Sequence, residues 1–268
     1  MVAFVVRRRL QLPRRLAAGE WMMPRIVAVE TLDGLAADDP AAMRSRRDLR
    51  RLHRAMGTRS IVSRALKDMT ASRRTAAPLR VLELGAGDGR LMLGVARALA
   101  PAWPQVELTL LDRQTLIERA TIARYGELGW SAVVKVVDVF DWAADATDAR
   151  LRGRATAHWD LIVANLFLHH FEGAQLTALL TAIAANADQF FVCEPRRAWL
   201  ALAGSHLVGA IGANAVTRED AVLSVRAGFC RNELTALWPT QGVEWQLQEY
   251  SAGLFSHCFR ARRLAANG

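Results

Sequence analysis

The sequence predicts an α/β protein with a doubly wound sheet of seven strands, mostly parallel and ending in an antiparallel pair. Apolar segments of strand length alternate with helical periodicity from residue 79 onward. A glycine-rich turn joins the first strand to the first helix of this series, and Gly253 separates the last two strands closely enough for a hairpin.

The stretch 80–90 is the centre of the predicted fold. The apolar first half of this stretch indicates a short buried parallel strand, and a helix is predicted directly after the stretch. Between them stand three alternating glycines, Gly85, Gly87 and Gly89. Glycine permits positive φ and a close approach of the backbone to a ligand, while the free amides of the helix start favour polar ligand groups. A glycine turn without a ligand is the alternative.

Length and composition describe a folded chain. The 268 residues suit one α/β domain with additions, and 52% hydrophobic residues exclude a mainly disordered protein. No run reaches the ~18 apolar residues of a membrane span. Three scattered cysteines, Cys193, Cys230 and Cys258, lack metal-ligand spacing, so we expect no zinc, no disulfide framework and a cytoplasmic location.

Positive charge is concentrated at the front of the chain. Residues 1–25 carry six arginines and one glutamate, and residues 41–80 carry twelve Arg or Lys against two aspartates, although the whole chain has a net charge of only +9. Such a surface suits nucleic acid or anionic lipid. Because arginine replaces lysine almost throughout, we favour solvated helical faces and expect no nucleic-acid partner.

Residues 1–30 are predicted to be a basic tail. Their short apolar run precedes the arginines, unlike a signal peptide, and weak membrane contact is the alternative. Met22 and Met23 leave open whether residues 1–22 belong to the native protein. Since the segment has no periodic apolar face, a chain starting at Thr31 is expected to keep its stability. Residues 31–77 are predicted to form a helical cover of two helices, with Asp39–Pro40 as a helix start and Gly57 as a stop.

The remaining elements follow in order. Strands are predicted at 106–112, 131–137, 159–166 and 189–194, and helices at 115–128 and 173–187. Residues 198–216 are interpreted as a buried helix or pocket cover. Thr217 and Asp220 indicate a capping box at the start of a helix through Val225. Strands at 243–250 and 255–260 complete the sheet.

Asp112 ends the second strand, 23 residues after Gly89. An acid at about this distance from a glycine turn suits hydrogen bonds to a ribose diol. The dinucleotide pattern Gly-x-Gly-x-x-Gly/Ala fails, because Arg90 stands at its last position.

Residues 78–264 resemble the class I S-adenosylmethionine (SAM)-dependent methyltransferases, and the cover resembles that of bacterial small-molecule enzymes. The resemblance implies a Rossmann-like fold over residues 78–268, with SAM as cofactor and S-adenosylhomocysteine (SAH) as product. Asp112 would bind the ribose, Asp138 the adenine amine and Val139 the adenine face. The implied cofactor-binding residues are Glu83, Gly85, Ala86, Gly87, Gly89, Asp112, Arg113, Asp138, Val139, Asn165 and Leu166.

The segment after the fourth strand lacks the motifs of amino-directed and pyrimidine-C5 methyltransferases and the acid pair of a magnesium site. Its resemblance is to small-molecule O- and C-methyltransferases, which implies an aromatic, quinone or polyketide-like acceptor. An RNA methyltransferase, a catalytically silent partner protein and an NAD(P) enzyme are the alternatives. The acceptor, the methylated atom and the oligomeric state stay open.

His169 and His170 follow the fourth strand and are the candidate catalytic bases, because imidazole titrates near neutral pH. One imidazole packed in the core and one in solvent is the alternative interpretation. His206 is a lesser candidate. A lipophilic pocket wall is expected from Phe167, Phe171, Trp199 and Leu200, and no metal site is expected.

Overall fold

A computed structural model describes residues 23–71, 77–103, 105–152 and 157–264. Seven strands form one sheet in the order β3-β2-β1-β4-β5-β7-β6. The strands are β1 (Leu79–Leu84), β2 (Val106–Asp112), β3 (Trp130–Val136), β4 (Leu161–Asn165), β5 (Gln189–Pro195), β6 (Trp245–Ala252) and β7 (Ser256–Arg263). Strands β1 to β5 are parallel, whereas β7 pairs antiparallel with both β5 and β6. The predicted fold class is confirmed.

Helices cover both faces of the sheet. They are α1 (Thr31–Gly34), α2 (Pro40–Ala55), α3 (Thr58–Thr70), α4 (Arg90–Leu99), α5 (Arg119–Gly126), α6 (Val139–Leu151), α7 (Gly173–Asn186), α8 (Trp199–His206), α9 (Ala215–Ala227) and α10 (Glu233–Leu237), with 3₁₀ turns at Leu168–His170 and Val208–Ile211. One apolar core joins α3, α4 and α5 to the sheet, and a second joins α6, α7 and α10 to the opposite face. Among the described residues, no helix combines the length and apolarity needed to cross a membrane.

Helix α2 of the cover begins and ends where the sequence predicts. Asp39 caps α2 by accepting hydrogen bonds from the amides of Ala41 and Ala42 at 2.7 and 3.1 Å. Gly57, with φ of 68°, separates α2 from α3. The domain bounds at residues 30 and 77 stay predictions.

The last eight residues of the predicted tail, 23–30, contact the domain. Residues 1–22 lie outside the described part of the chain, but residues 23–30 pack on the domain. Arg25 donates hydrogen bonds to the carbonyls of Ala227 and Phe171 at 2.8 and 2.9 Å. The amide of Ile26 donates to Arg226 O at 3.1 Å. Because these hydrogen bonds are made to backbone carbonyls, the sequence shows no apolar periodicity from which they could be predicted.

Three expected helices differ from the structure. Residues 115–118 are not helical, because α5 begins at Arg119 with an extended Glu118 as its N-cap, and Ile117 lies beside Gly89. The cap of α9 is Asn214, which accepts from Thr217 N at 2.8 Å, and not a Thr217–Asp220 box. Helix α8 is only partly buried, because Trp199 and Leu200 are 62% and 57% exposed. The helices α1, α6 and α10 are not among those that the sequence predicts.

Candidate functional site

A cavity of about 640 Å³ lies at the carboxyl edge of the parallel strands. Loops that follow β1, β2, β3 and β4 form its floor, while α1, α2 and the start of α3 form its cover. Ligands of doubly wound sheets bind at this edge, because the strand ends and helix starts converge there. Ten of the eleven predicted cofactor residues line this cavity, Gly89 being the exception, and so do both candidate histidines.

The glycine loop has the backbone that its sequence predicts. Gly85, Gly87 and Gly89 have φ of 69°, 55° and 69°, a region that favours glycine. Gly85 also has no room for a side chain, because a Cβ atom there would lie 2.3 Å from Cδ2 of Phe167. Glycine at this position is therefore required both by its φ and by the ring that lies on it.

Glu83 is a buried carboxyl under this loop, only 3% exposed. Burial, together with the charges of Asp112 and Asp88, raises its pKa well above the usual range. Its Oε2 has no hydrogen-bond partner among the described residues. A buried carboxyl with one unpartnered oxygen on the cavity wall is suited to a polar ligand.

Asp112 connects β2 to the glycine loop. Its Oδ2 accepts from Gly87 N at 2.8 Å, and its Oδ1 accepts from Gln114 N at 2.9 Å. Each carboxylate oxygen can accept more than one hydrogen bond, so both can also accept from ligand hydroxyls. The neighbouring Arg113 donates to the carbonyl of Asp33, which ties α1 of the cover to this strand end.

Asp138, after β3, and Asn165, at the end of β4, line the next part of the cavity wall. Asp138 accepts from Phe140 N at 2.8 Å near the start of α6, and Val139 beside it is buried. The Oδ1 atom of Asn165 is buried and has no partner in the described part of the chain. Leu166 has φ of 50°, a strained value for a branched side chain that is common at functional sites.

Glu194, at the end of β5, holds the segment 166–170. Its carboxylate accepts from the amides of Phe167, Leu168 and His169 at 3.0, 2.8 and 3.3 Å. It also lies 2.7 Å from Nδ1 of His169, and its side chain is fully buried. One carboxylate thereby fixes three successive amides and an imidazole. The sequence offered no signal for this role.

His169 lies between two carboxylates. Its Nε2 is 3.2 Å from Oε1 of Glu30, which also accepts from the hydroxyl of Ser224. Burial alone would lower the pKa of His169, but the hydrogen bonds to Glu194 and Glu30 outweigh it and raise the pKa to about 10. The same contacts lower the pKa of both glutamates against the effect of burial. His169 is therefore an imidazolium at neutral pH.

His170 has the opposite protonation. Burial, and then the charge of His169, lower its pKa below 6.5. The two ring centroids are 4.2 Å apart. Nδ1 of His170 lies 3.5 Å from Oδ2 of Asp33, and the side chain is 20% exposed. A neutral imidazole on the cavity wall can accept a proton.

Glu30, His169 and His170 are also the one group of three described residues whose geometry is compatible with a metal ion. Their ligand atoms lie within 4.8 Å of one another. Ligands about 2.1 Å from one ion are at most ~4.2 Å apart, so a bound ion would require this cluster to contract. The sequence suggested no metal site because Glu30 lies 139 residues before His169.

Of the other expected site residues, some line the cavity and some do not. Phe167 and Phe171 line the cavity, and their rings meet edge to face with centroids 5.2 Å apart. His206, Trp199 and Leu200 are exposed and do not line it, because α8 turns these side chains outward. The predicted pocket wall is wrong for Trp199 and Leu200.

Part of the basic front end faces the cavity. Arg46, Arg50, Arg54 and Arg59 all line it. Arg50 pairs with Asp88 of the glycine loop at 2.9 Å, and Arg46 donates to the carbonyl of Ala37 at 2.7 Å. Arg50, and Arg46 through a further hydrogen bond to Oε1 of Gln114 at 3.3 Å, therefore hold the cover on the loops that follow β1 and β2, which accounts for part of the positive charge without nucleic acid.

Comparisons with known proteins identify both family and fold. A family model described as a methyltransferase domain matches residues 44–266. No curated protein sequence matches the chain. Among solved structures, the plantazolicin methyltransferase BpumL in complex with SAH is 12% identical with a TM-score of 0.57, over 84% of this chain and 91% of that one.

Two further structures align with less of their own length. The DszA carbon methyltransferase is 17% identical with a TM-score of 0.57, covering 86% of this chain and 61% of that one. An O-methyltransferase family protein from Burkholderia thailandensis is 14% identical with a TM-score of 0.53, covering 85% and 61%. Likeness at such low identity establishes a shared fold.

Proposed function

This chain belongs to the methyltransferase-domain family, and we propose that it transfers the methyl group of SAM to a small aromatic, quinone or polyketide-like acceptor, by O- or C-methylation. Transfer releases SAH and one proton, because the acceptor exchanges a hydrogen for a methyl group. The sulfonium cofactor supplies the electrophile, and the protein supplies position, a dry site and a base.

One observation carries the cofactor proposal. The carboxylate of Asp112 is bonded to the glycine loop, inside a cavity that also contains Asp138 and Val139. Asp112 would bind the ribose hydroxyls, Asp138 the adenine amine and Val139 one face of the base. The orphaned oxygens of Glu83 and Asn165 are further groups on this wall that a polar ligand would satisfy.

The acceptor side is proposed at the segment 167–171. Phe167 and Phe171 form an apolar wall, and Leu32 and Leu49 of the cover face the same cavity. An aromatic or enol acceptor suits this site for two reasons. The apolar wall can pack against the acceptor, and the acceptor's nucleophile becomes reactive when a base removes its proton. His170 is the proposed base, since His169 is bonded through both ring nitrogens to carboxylates.

The mechanism is a single in-line displacement. When bound, SAM would supply the methyl electrophile for in-line attack by the acceptor's oxygen or carbon, and SAH would leave with the electron pair of the carbon–sulfur bond. The acceptor proton moves to Nε2 of His170. Holding the two reactants in line is expected to provide most of the rate acceleration, because methyl transfer then occurs within one complex and needs no further encounter.

The test uses the full chain and SAM labelled with tritium in its methyl group. SAM binding is first measured by calorimetry, and labelled transfer is then screened over cell-extract fractions. Label in small organic-soluble molecules is the expected result. Label in an RNase-sensitive fraction would support the RNA alternative instead, and an absence of SAM binding would overturn the proposal. A product made with ¹³C-methyl SAM distinguishes O- from C-methylation by the carbon chemical shift.

A further inference from the structure

The N-terminal segment brings two acids to the two histidines. Glu30 directly precedes α1 and Asp33 lies within it, so one helical turn presents both carboxylates to one surface. Asp220 of α9 fixes this turn by accepting from the amides of Thr31 and Leu32 at 2.8 and 3.0 Å. The placement of both acids is therefore set by hydrogen bonds across the fold.

The two acid–imidazole pairs are not equivalent. His169 has a carboxylate at each nitrogen, which leaves neither nitrogen for an acceptor. His170 has a carboxylate only at Nδ1, where Asp33 Oδ2 lies 3.5 Å away. Its Nε2 makes no hydrogen bond or ion pair with a described residue, and the side chain borders the cavity.

We propose that Asp33 is the positioning residue of the methyl-transfer base: it keeps the proton of neutral His170 on Nδ1, so that Nε2 is free to take the acceptor proton. This inference rests on the proposed function and deepens it. The distance of 3.5 Å is longer than a hydrogen bond, as is common for catalytic pairs before substrate binds.

The charged groups around His170 favour its neutral form before methyl transfer and stabilise its imidazolium afterwards. Burial and the imidazolium of His169 hold the pKa of His170 low, while Glu30, Asp33 and Glu194 act in the opposite direction. Arg113 lies 3.8 Å from Asp33, and Arg25 donates to the carbonyls that flank His170 in the chain. Before transfer, the neutral form is favoured. After transfer, Asp33 stabilises the new imidazolium, which is the task of the acid in a hydrolytic triad.

The experiment reads the tautomer directly and needs no acceptor. The full chain is labelled with ¹⁵N-histidine, saturated with SAH and titrated with pH by NMR. In the wild-type protein, we expect neutral His170 to carry its proton on Nδ1, with Nε2 at the shift of an unprotonated nitrogen. In D33A, the population of this tautomer should fall at least about twofold, because Nδ1 loses its acceptor.

Three further variants make the test selective. D33E should restore the wild-type tautomer, and D33N, which keeps an acceptor oxygen but no charge, should retain the tautomer and lower the pKa of His170. D38A removes an exposed aspartate of the same segment and should change neither. A tautomer that is identical in the wild-type protein and D33A, or that carries the proton on Nε2 in the wild-type protein, would overturn the inference.

Failure of the inference and failure of the proposed function are distinguishable. SAM binding and labelled transfer test the function, whereas the tautomer of His170 tests only Asp33. A divalent ion bound stoichiometrically to the full chain and lost in H170Q would also overturn the inference, because Nε2 would then be a metal ligand.

Discussion

Nδ1 of His169 lies 2.7 Å from Oε2 of Glu194, and both side chains are almost completely buried. Three backbone amides of the segment 167–169 share the same carboxylate. This pair therefore joins the end of β4 to the end of β5, and determines where the cavity wall of Phe167 and His170 lies.

Glu194→Gln should destabilise the protein and misplace the acceptor wall. Breaking a buried ion pair typically costs about 3–5 kcal/mol, because the partner charge is left buried. The loss is measured as free energy of unfolding in urea. Glu249 offers a matched control, since it is buried, lies 2.8 Å from His257 and accepts from the amides of Leu234 and Thr235. E249Q should cost stability and keep methyl transfer, whereas E194Q should lose both. Equal activity in the two variants would contradict the assignment.

The adjacent histidines should separate in kinetics. His170→Gln should lower kcat by about 10²–10⁴-fold, the usual contribution of a positioned base, and leave SAM affinity unchanged. His169→Gln should act mainly through stability. Because the pKa of His170 is lowered, the acidic limb of the wild-type rate profile should lie below pH 6.5 and be absent in H170Q. Wild-type kcat in H170Q on the identified acceptor would refute a base at this position.

The proton of His169 should make stability depend on pH. Its pKa is about 10 in the folded protein against an ordinary value of 6.5, so the folded state binds this proton more tightly. The stabilisation is complete below pH 6.5 and is lost as the pH rises towards 10. We expect the wild-type free energy of unfolding to fall over this range, and to fall less in E30Q. H158Q, which removes an exposed imidazole, should follow the wild-type curve. Parallel curves for wild type and E30Q would contradict the raised pKa.

Asp112→Ala should weaken SAM binding at least about tenfold. Hydrogen bonds to a charged group contribute roughly 1.5–3 kcal/mol each, and the variant removes those proposed to the ribose hydroxyls. Calorimetric titration with SAM measures the change. Asp145→Ala, at an exposed position of α6, controls for the loss of one negative charge. Unchanged affinity in D112A, with the protein folded, would refute the ribose assignment.

Removing residues 1–30 should destabilise the chain, in contrast to the expectation from sequence. The truncation deletes the hydrogen bonds of Arg25 to Ala227 and Phe171 and the contact of Glu30 with His169. Each contributes about 1 kcal/mol, so a fall in melting temperature of at least about 3 °C is expected. A chain starting at Met23 keeps all of these contacts and is the control. Equal melting temperatures for the two truncated chains would show that the segment 23–30 contributes nothing.

The sequence by itself determined the sheet and the glycine-loop side of the cavity. Strand-length apolar runs, three glycines with positive φ and an acid at the end of β2 are local features, each visible in a few consecutive residues. Local backbone preference and burial fix them, so Gly85 and Asp112 lie where the spacing predicted. The same local patterns did not predict that Trp199 and Leu200 of α8 face outward. Periodicity identifies a helix, but it does not show which neighbours will cover each of its sides.

Only the tertiary structure decided the side of the cavity that holds the two histidines. Glu30, Asp33 and Glu194 reach the histidines from segments 139, 137 and 25 residues away along the chain. No spacing rule connects such positions, because their proximity depends on strand order and on the packing of the N-terminal segment against α9. Two adjacent and chemically identical histidines thereby become one buried imidazolium and one neutral imidazole, since protonation depends on the charges and burial around each ring.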